Sequence, residues 1–167
     1  MGGAEIHLVL ILQMLLLLTL ANGTPVIAKR VFGDFAAWPV DGGCRFVDGK
    51  PLFGSSKTIR GLALSILITS ALAPVVGLQW KLGAIVGMTA MAGDLFSSFL
   101  KRRMNRASSA MAIGLDQVPE SLLPLLACRQ LLGITILDML IVVVVFFVGA
   151  LILSRLLFQL KIRDRPF

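Results

Sequence analysis

An aspartate stands inside an otherwise apolar segment of this 167-residue chain, in the stretch MAGDLFSSFLKRR. A carboxylate in a bilayer-spanning helix costs several kcal/mol, so such residues are usually functional or paired. On a helix, Asp94 shares one face with the residues three, four and seven positions later, which are Ser97, Ser98 and Lys101. A rise of about 1.5 Å per residue puts Asp94 roughly 10 Å from Lys101, at a depth that the cytoplasm can reach. We expect either a functional carboxylate or a salt bridge to a neighbouring basic residue.

A second acidic group opens a later apolar segment, in GLDQVPES. Asp116 precedes Pro119 by three residues, a position at which aspartate commonly caps a helix. It would lie on the same side of the membrane as Asp94, with Glu120 one turn further in. Two or three carboxylates without histidine or cysteine favour a hard cation such as Mg²⁺. Asp116 is therefore either a helix cap or, with Asp94 and Glu120, part of a metal site.

A polar run, PLFGSSKTIRG, separates two apolar segments at residues 51–61. If a helix begins near Ser56, its first N–H groups and its dipole can bind an anion. Hydroxyls and cations of the run would then complete a phosphate cradle made of Ser55, Ser56, Lys57, Thr58 and Arg60. The run is not a P-loop, because the spacing of that motif is absent. The alternative is ordinary serine capping with basic residues flanking a membrane helix.

A second basic group follows the Asp94 segment, at Lys101, Arg102, Arg103 and Arg106. As a solvated helix end it needs no special explanation. Beside a metal held by carboxylates, the same cations could hold phosphates. Acidic metal ligands together with basic phosphate ligands are the groups that phosphoryl or nucleotidyl transfer requires.

The elements that must position these groups are membrane helices. The chain is 57% hydrophobic, with a mean hydropathy of +0.90, and its apolar residues fall in blocks long enough to cross a bilayer. We predict an all-α integral membrane protein with a single domain, 1–167, and a bundle of about five transmembrane helices. The predicted spans are 6–28, 61–78, 82–100, 117–132 and 134–160.

Polar loops join the predicted helices. Residues 29–60 should form a structured loop with turns at Asp41-Gly42-Gly43 and Asp48-Gly49, and residues 101–116 a second loop. The Asn22-Gly23 pair and Pro25 should disturb the last turns of the first helix. The fourth span, with Glu120 and Arg129, should pack inside the bundle.

The basic residues also predict how the chain crosses the membrane. With the N-terminus outside and the C-terminus in the cytoplasm, all 16 Lys and Arg except Lys81 and Arg129 fall on the cytoplasmic side. Both loops then face the cytoplasm, and the protein is a multi-pass protein of the inner membrane. The net charge of +7 reports this orientation and not nucleic-acid binding.

The chain has few groups for other kinds of chemistry. His7 is the single histidine, which excludes a histidine-based metal site or a Ser-His-Asp triad. Cys44 and Cys128 have no zinc spacing, and the inferred topology puts them on opposite sides of the membrane. We expect two inert thiols.

At this point the motifs resemble a known family. PLFGSSKTIRG, GDLFSSFLKRR and GLDQ, in this order, are similar to those of the CDP-archaeol synthases, which belong with the wider phosphatidate cytidylyltransferases. ANGTP near the end of the first span is similar as well, and the similarity covers nearly the whole chain. The resemblance implies a five-helix membrane enzyme that joins CTP to a lipid phosphate. The products would be a CDP-lipid and pyrophosphate. The cofactor would be Mg²⁺.

The resemblance also implies roles for residues. Asp94 and Asp116 match metal-site carboxylates, and with Lys57 they form the predicted catalytic set. The matching phosphate contacts are Lys57, Thr58, Arg60, Lys101 and Arg102. The other predicted substrate-binding residues are Asn22, in the AN motif, Gln117, in the LDQ motif, and Ser55, Ser56, Ser97 and Ser98. The family pattern carries a second aspartate three residues after the one in LDQ. Here that position is Pro119, so either Glu120 substitutes from the next position or the site differs.

The implied chemistry is in-line attack of a lipid phosphate oxygen on the α-phosphorus of CTP. A phosphate monoester is already anionic at pH 7, with a second pKa of about 6, so no general base is needed. The partners would be CTP, a membrane lipid phosphate and the bilayer. The lipid tails and the oligomeric state stay open, with a homo-oligomer as one alternative.

Three other functions stay open. The first is a small membrane transporter or ion-binding protein without nucleotide chemistry, although the sequence shows no inverted repeat. The second is a CDP-alcohol phosphatidyltransferase, whose opening motif DGGCR matches only faintly at residues 41–45. The third is a structural membrane protein, which would tolerate the loss of Asp94 and Lys57 together.

Overall fold

The computed structural model of the chain describes residues 6–107 and 112–159. These residues contain five α-helices, which confirms the predicted all-α bundle. Their bounds are α1 (Leu8–Phe32), α2 (Ile59–Leu72), α3 (Trp80–Arg103), α4 (Gln117–Leu132) and α5 (Ile136–Gln159). A short 3-10 helix, Ala73–Val76, extends α2. The predicted end of the fifth span at 160, the basic C-terminal tail and part of the second loop lie outside the described residues.

Four of these helices are long and apolar enough to cross a membrane: α1, α2 with its 3-10 extension, α3 and α5. The fourth predicted span is found at its predicted bounds, 117–132, but it is shorter than a full crossing. Its 16 residues measure about 24 Å, against a hydrocarbon core of roughly 30 Å. α4 packs against α3 and α5 and buries Ser121, Leu125 and Cys128.

The disturbance predicted at Asn22-Gly23 and Pro25 does not interrupt α1, which continues past the predicted end at residue 28 to Phe32. A proline removes the N–H that would bond the carbonyl four residues earlier. Here that carbonyl, of Ala21, accepts a hydrogen bond of 2.7 Å from the hydroxyl of Ser65 on α2. A neighbouring helix therefore satisfies the backbone that Pro25 leaves open, as membrane bundles allow.

Glycines on α3 bring the neighbouring helices into close contact. A Cβ added at Gly83 would lie 2.3 Å from the backbone oxygen of Thr69 on α2. One added at Gly93 would lie 2.4 Å from the backbone oxygen of Pro119 on α4. Only a residue without a side chain allows backbones to pack at this distance, as in small-residue interfaces of membrane helices.

The ends of α1 and α5 are joined on the face of the bundle opposite the polar loops. The ring Nδ1 of His7 lies 2.8 Å from the carboxylate of Asp138, which also accepts the backbone N–H of His7. The same carboxylate accepts the N–H of Thr135, while the Thr135 hydroxyl accepts the N–H of Asp138. This is a reciprocal helix cap, and it fully buries Asp138. α1 and α5 therefore run parallel from a shared starting point.

The loop between α1 and α2 has the predicted turns. Gly42, Gly43 and Gly49 all have positive φ, which glycine adopts without strain. Isolated β-bridges join Pro39 to Thr58 and Arg45 to Pro51. The loop thus folds back on itself and returns the chain to the start of α2.

Candidate active site

A cavity of about 1000 Å³ lies where α1 and α3 end and where α2 and α4 begin. It gathers the predicted site residues from four separate segments of the chain. All of them line it except Ser97, namely Asn22, Ser55, Ser56, Lys57, Thr58, Arg60, Asp94, Ser98, Lys101, Arg102, Asp116, Gln117 and Glu120.

Asp94 is paired with Lys57 at the centre of this cavity. The ammonium nitrogen lies 2.5 and 2.6 Å from the two carboxylate oxygens, and both side chains are less than one-fifth exposed. Burial opposes the charge on Lys57, but the adjacent Asp94 carboxylate raises the pKa of the lysine above its usual value. Lys57 is therefore a fixed positive charge. The partner of Asp94 comes from a loop 37 residues away and not from its own helix.

Glu120 comes to the same cavity from α4, close enough for its carboxyl group and that of Asp94 to interact electrostatically. This approach depends on Gly93, because the backbone of Pro119 and Glu120 rests where a side chain at Gly93 would be. Two neighbouring carboxyl groups favour a shared proton or a cation between them, since like charges repel.

Asp116 is held by a different cation. Its carboxylate lies 2.8 Å from the ammonium of Lys101 and accepts the N–H of Ala112 at 2.9 Å. It makes no side-chain cap bond to α4. Asp116 is therefore not the ordinary helix cap that the sequence also allowed, but an ion-pair partner beside the cavity.

The carboxylates suit a magnesium ion in number and kind. In the described part of the chain, no three His, Cys, Asp or Glu side chains form a ready-made ligand group. Mg²⁺ needs only one or two carboxylates when substrate phosphates supply further oxygens. Asp94 and Glu120, which line the same cavity, meet that requirement, and all their donors are the oxygens that a hard cation prefers.

Two buried polar atoms on α3 add to the demand for a ligand. Among the described residues, nothing hydrogen-bonds the Ser98 hydroxyl or the Nε of Arg102. Both residues line the cavity and both are nearly fully buried. Buried polar atoms usually have partners, so unpaired ones at a cavity wall are suited to a polar ligand.

Ser97 does not share this position. It is fully buried, lies off the cavity wall, and its hydroxyl donates to the backbone oxygen of Asp94 at 3.0 Å. The structure therefore does not bring Ser97 to the cavity wall with the other predicted residues. Three residues along a helix advance the side chain by about 300°, and here that offset turns Ser97 into the helix packing.

The helix that was expected to begin near Ser56 begins at Ile59. Thr58 caps it, and the Thr58 hydroxyl accepts the N–H of Gly61 at 3.2 Å. The N–H of Ile59 bonds the carbonyl of Trp38. These first-turn donors are already used, so the helix N-terminus is a weaker anion site than the sequence indicated.

Arg60 also has a structural task. Its guanidinium donates to the backbone oxygens of Phe35 and Gly33 and lies over the ring of Phe32 at 5.6 Å. It therefore ties the end of α1 to the start of α2. Although Arg60 borders the cavity, its two terminal guanidinium nitrogens serve the scaffold.

Two anchors that the sequence did not reveal fix the loop carrying Lys57. The Asp41 carboxylate accepts the N–H groups of Gly43, Phe53 and Gly54. Partial burial would raise the pKa of Asp41, but these backbone donors lower it below its usual value. The closing residues of the loop are thus tied to a charged carboxylate.

The second anchor is Arg103 at the end of α3. Its guanidinium lies 4.9 Å from the ring centres of both Phe46 and Phe99. It also pairs with Asp48 at 2.9 Å and donates to the carbonyl of Pro51 at 2.6 Å. The loop is thereby held against the helix that carries Asp94.

The sequence profile of the family described as CarS-like, CDP-archaeol synthase, matches residues 6–167. The chain belongs to the CDP-archaeol synthase family. A CDP-archaeol synthase of Sulfurisphaera tokodaii is 33% identical over 153 residues, which are 88% of this chain and 89% of that protein. One of Hyperthermus butylicus is 38% identical over 104 residues, or 59% of each chain.

A solved structure has the same fold as this CDP-archaeol synthase family member. It is described as an intramembrane enzyme for archaeal membrane lipid biosynthesis. The two agree with a TM-score of 0.69 and 28% identity over 83% of this chain and 90% of that one. The resemblance seen in the motifs is confirmed, and the protein is a membrane-embedded, CTP-dependent cytidylyltransferase that uses a lipid phosphate.

Proposed function

We propose that the cytidylyl transfer of this family takes place in the cavity around Asp94. The observation that carries the proposal is the Lys57–Asp94 ion pair in one cavity with Glu120, since the three residues come from a loop and two helices. Polar groups brought together from distant parts of the chain, at a membrane depth where each is expensive to bury, favour function over structure.

In this proposal the cations of the cavity bind the triphosphate of CTP and the lipid phosphate. Lys57 is paired with Asp94, and Lys101 with Asp116. Each can exchange part of its contact with a carboxylate for a phosphate oxygen. The Ser98 hydroxyl and Arg102 add hydrogen-bond donors at the same wall. The attacking phosphate is anionic, so these residues act by positioning and by electrostatic stabilisation.

Asp94 and Glu120 would hold Mg²⁺, with Asp116 next to them. The ion would supply charge neutralisation for the triphosphate. Pro119 stands where the family has its second aspartate. We infer that Glu120 takes the role of that aspartate, because the close packing of α4 on Gly93 brings the longer Glu120 side chain near Asp94.

We also propose that the cavity faces the cytoplasm. The basic residues that line or border it lie at the ends of α1 and α3 and at the start of α2. The positive-inside rule then puts the start of α1 outside. CTP is a cytoplasmic nucleotide, and this orientation gives it direct access to the site.

The test is CDP-lipid formation by the Asp94→Asn variant in detergent or bilayers. We expect loss of both CDP-lipid and pyrophosphate, with the protein still folded in the membrane. Ser97→Ala on the same helix is the matched control and should keep normal turnover, because its side chain faces away from the cavity. Normal turnover by Asp94→Asn would remove Asp94 from the mechanism.

The metal is tested separately. Chelation should stop turnover and added Mg²⁺ should restore it. Glu120→Gln should raise the Mg²⁺ concentration needed for half-maximal rate, while Ser97→Ala should not. An unchanged Mg²⁺ requirement in Glu120→Gln would rule out Glu120 as a ligand.

A further inference from the structure

The cavity continues from its polar end into an apolar slot between α1 and α5. We define the α1–α5 slot by the residues of each helix that line this part of the cavity: Leu15, Thr19, Gly23 and Val26 on α1, and Val145, Phe146, Gly149, Ala150 and Leu153 on α5. Their spacing of three to four residues is that of one helix face. One face of α1 and one face of α5 therefore line the same open space.

The slot has the dimensions of a membrane leaflet. Its residues extend over about 16 Å of α1 and about 12 Å of α5, at 1.5 Å per residue. Half of the hydrocarbon core measures roughly 15 Å. Met14, Leu18 and Val142, which flank one end of the slot along the two helices, belong to the buried core. Lys57 and Asp94 line the same cavity as the slot.

Both walls of the slot carry a glycine in open space. No described atom lies within 4 Å of the Cβ that a side chain would add at Gly23 or at Gly149. This distinguishes them from Gly83 and Gly93, where neighbouring backbone fills that position. Close helix packing therefore does not explain the two glycines. They widen the slot.

We propose that the α1–α5 slot holds a hydrocarbon chain of the lipid phosphate, and that Gly23 and Gly149 set the width of the chain that it accepts. The inference rests on the proposed function, because the polar end of the slot is the proposed reaction site. The slot is continuous with that site, and this identifies the kind of molecule that occupies it. A molecule with a phosphate at Lys57 and a chain in the slot is amphiphilic. A methyl branch widens a chain, so the open space at the glycines matters most for branched lipids.

Kinetics with Gly149→Phe test this assignment. We expect kcat/KM for a long branched-chain lipid phosphate to fall at least about tenfold, a loss typical of filling an apolar pocket. The loss should be smaller for a straight chain, and the KM for CTP should stay within about twofold. Gly149→Ala should show the same order of preference with smaller losses. Val148→Phe is the matched control, because Val148 is exposed and lies outside the cavity, and it should leave every constant unchanged.

A thiol-protection measurement needs no turnover. In a Cys44→Ser background, Gly149→Cys should react with a small maleimide, since the remaining Cys128 is fully buried. A long-chain lipid phosphate in mixed micelles should slow this reaction, whereas glycerol phosphate with CTP should not. Val148→Cys should react at the same rate with or without lipid.

The two experiments separate the possible failures. If the unmodified protein makes no CDP-lipid, the proposed function fails, and protection of Gly149→Cys still decides whether a lipid occupies the slot. If the protein is active but Gly149→Phe and Val148→Phe behave alike, or lipid gives no protection, the slot does not hold the chain and the inference is overturned.

Discussion

Replacing Gly93 by alanine should damage the active site more than it damages the fold. The added Cβ would lie 2.4 Å from the carbonyl oxygen of Pro119, 2.6 Å from its carbonyl carbon and 2.8 Å from the nitrogen of Glu120. All three atoms are backbone, so no change of rotamer can relieve the contact. Ordinary contact distances begin near 3.5 Å, so α3 and α4 must separate by about 1 Å.

The two consequences of this separation differ in size. Overpacking costs about 1–3 kcal/mol, and the better helix propensity of alanine returns up to about 1 kcal/mol. Stability should therefore fall by at most about 2 kcal/mol. The same shift moves Glu120 away from Asp94, and a misplacement of about 1 Å at a reacting centre lowers the rate roughly a hundredfold.

The assay is kcat for CDP-lipid formation, measured beside thermal unfolding in the same detergent. Gly83→Ala is the matched control, because its Cβ would meet the backbone oxygen of Thr69 at 2.3 Å. Gly83 lies about 15 Å from Gly93, towards the start of α3. It should lose similar stability without a comparable loss of kcat. If Gly93→Ala keeps kcat within about twofold, the packing of α4 on Gly93 does not position the site.

The loop anchors give two more predictions. Asp41→Asn should speed amide exchange at Phe53 and Gly54 at pH 7, and equal protection at pH 7 would contradict the assignment. Because the folded pKa of Asp41 is lowered, its contribution is present above the ordinary aspartate pKa of about 4 and is lost as the pH falls through the folded pKa, so the difference in exchange between the two proteins should shrink as the pH falls. Arg103→Lys keeps the charge but loses the planar stacking and the paired donors, so kcat/KM should fall about tenfold with stability nearly unchanged; unaltered kinetics would show that the loop needs no such anchor.

The apolar segments predicted most of the fold, because the length and hydropathy of a segment are enough to predict a membrane helix. The bounds of α4 were predicted to the residue, although its short length was not weighed against the bilayer. The disturbance predicted at Pro25 is absent, because the rule for proline treats a helix as isolated. The donor that replaces the missing N–H, Ser65, is 44 residues away.

The candidate site shows the same division. Residue types identified Asp94, Asp116 and Lys57, and the cavity contains all three. The pairing of Asp94 with Lys57 and of Asp116 with Lys101 depends on how loops return to the bundle, which spacing along one helix does not encode. Asp138 was overlooked, although the Thr135-x-x-Asp138 spacing resembles a capping box and an acidic residue in so apolar a segment is unusual.

The hydrogen bond from Ser65 to Ala21 also bears on how the protein is made. A lone first helix entering the bilayer would expose the Ala21 carbonyl to hydrocarbon, where an unsatisfied backbone group costs several kcal/mol. The second helix removes that penalty when it arrives. The smallest segment that leaves no such carbonyl unsatisfied in lipid is therefore the hairpin of α1 and α2. The loop that carries Lys57 lies at the tip of this hairpin.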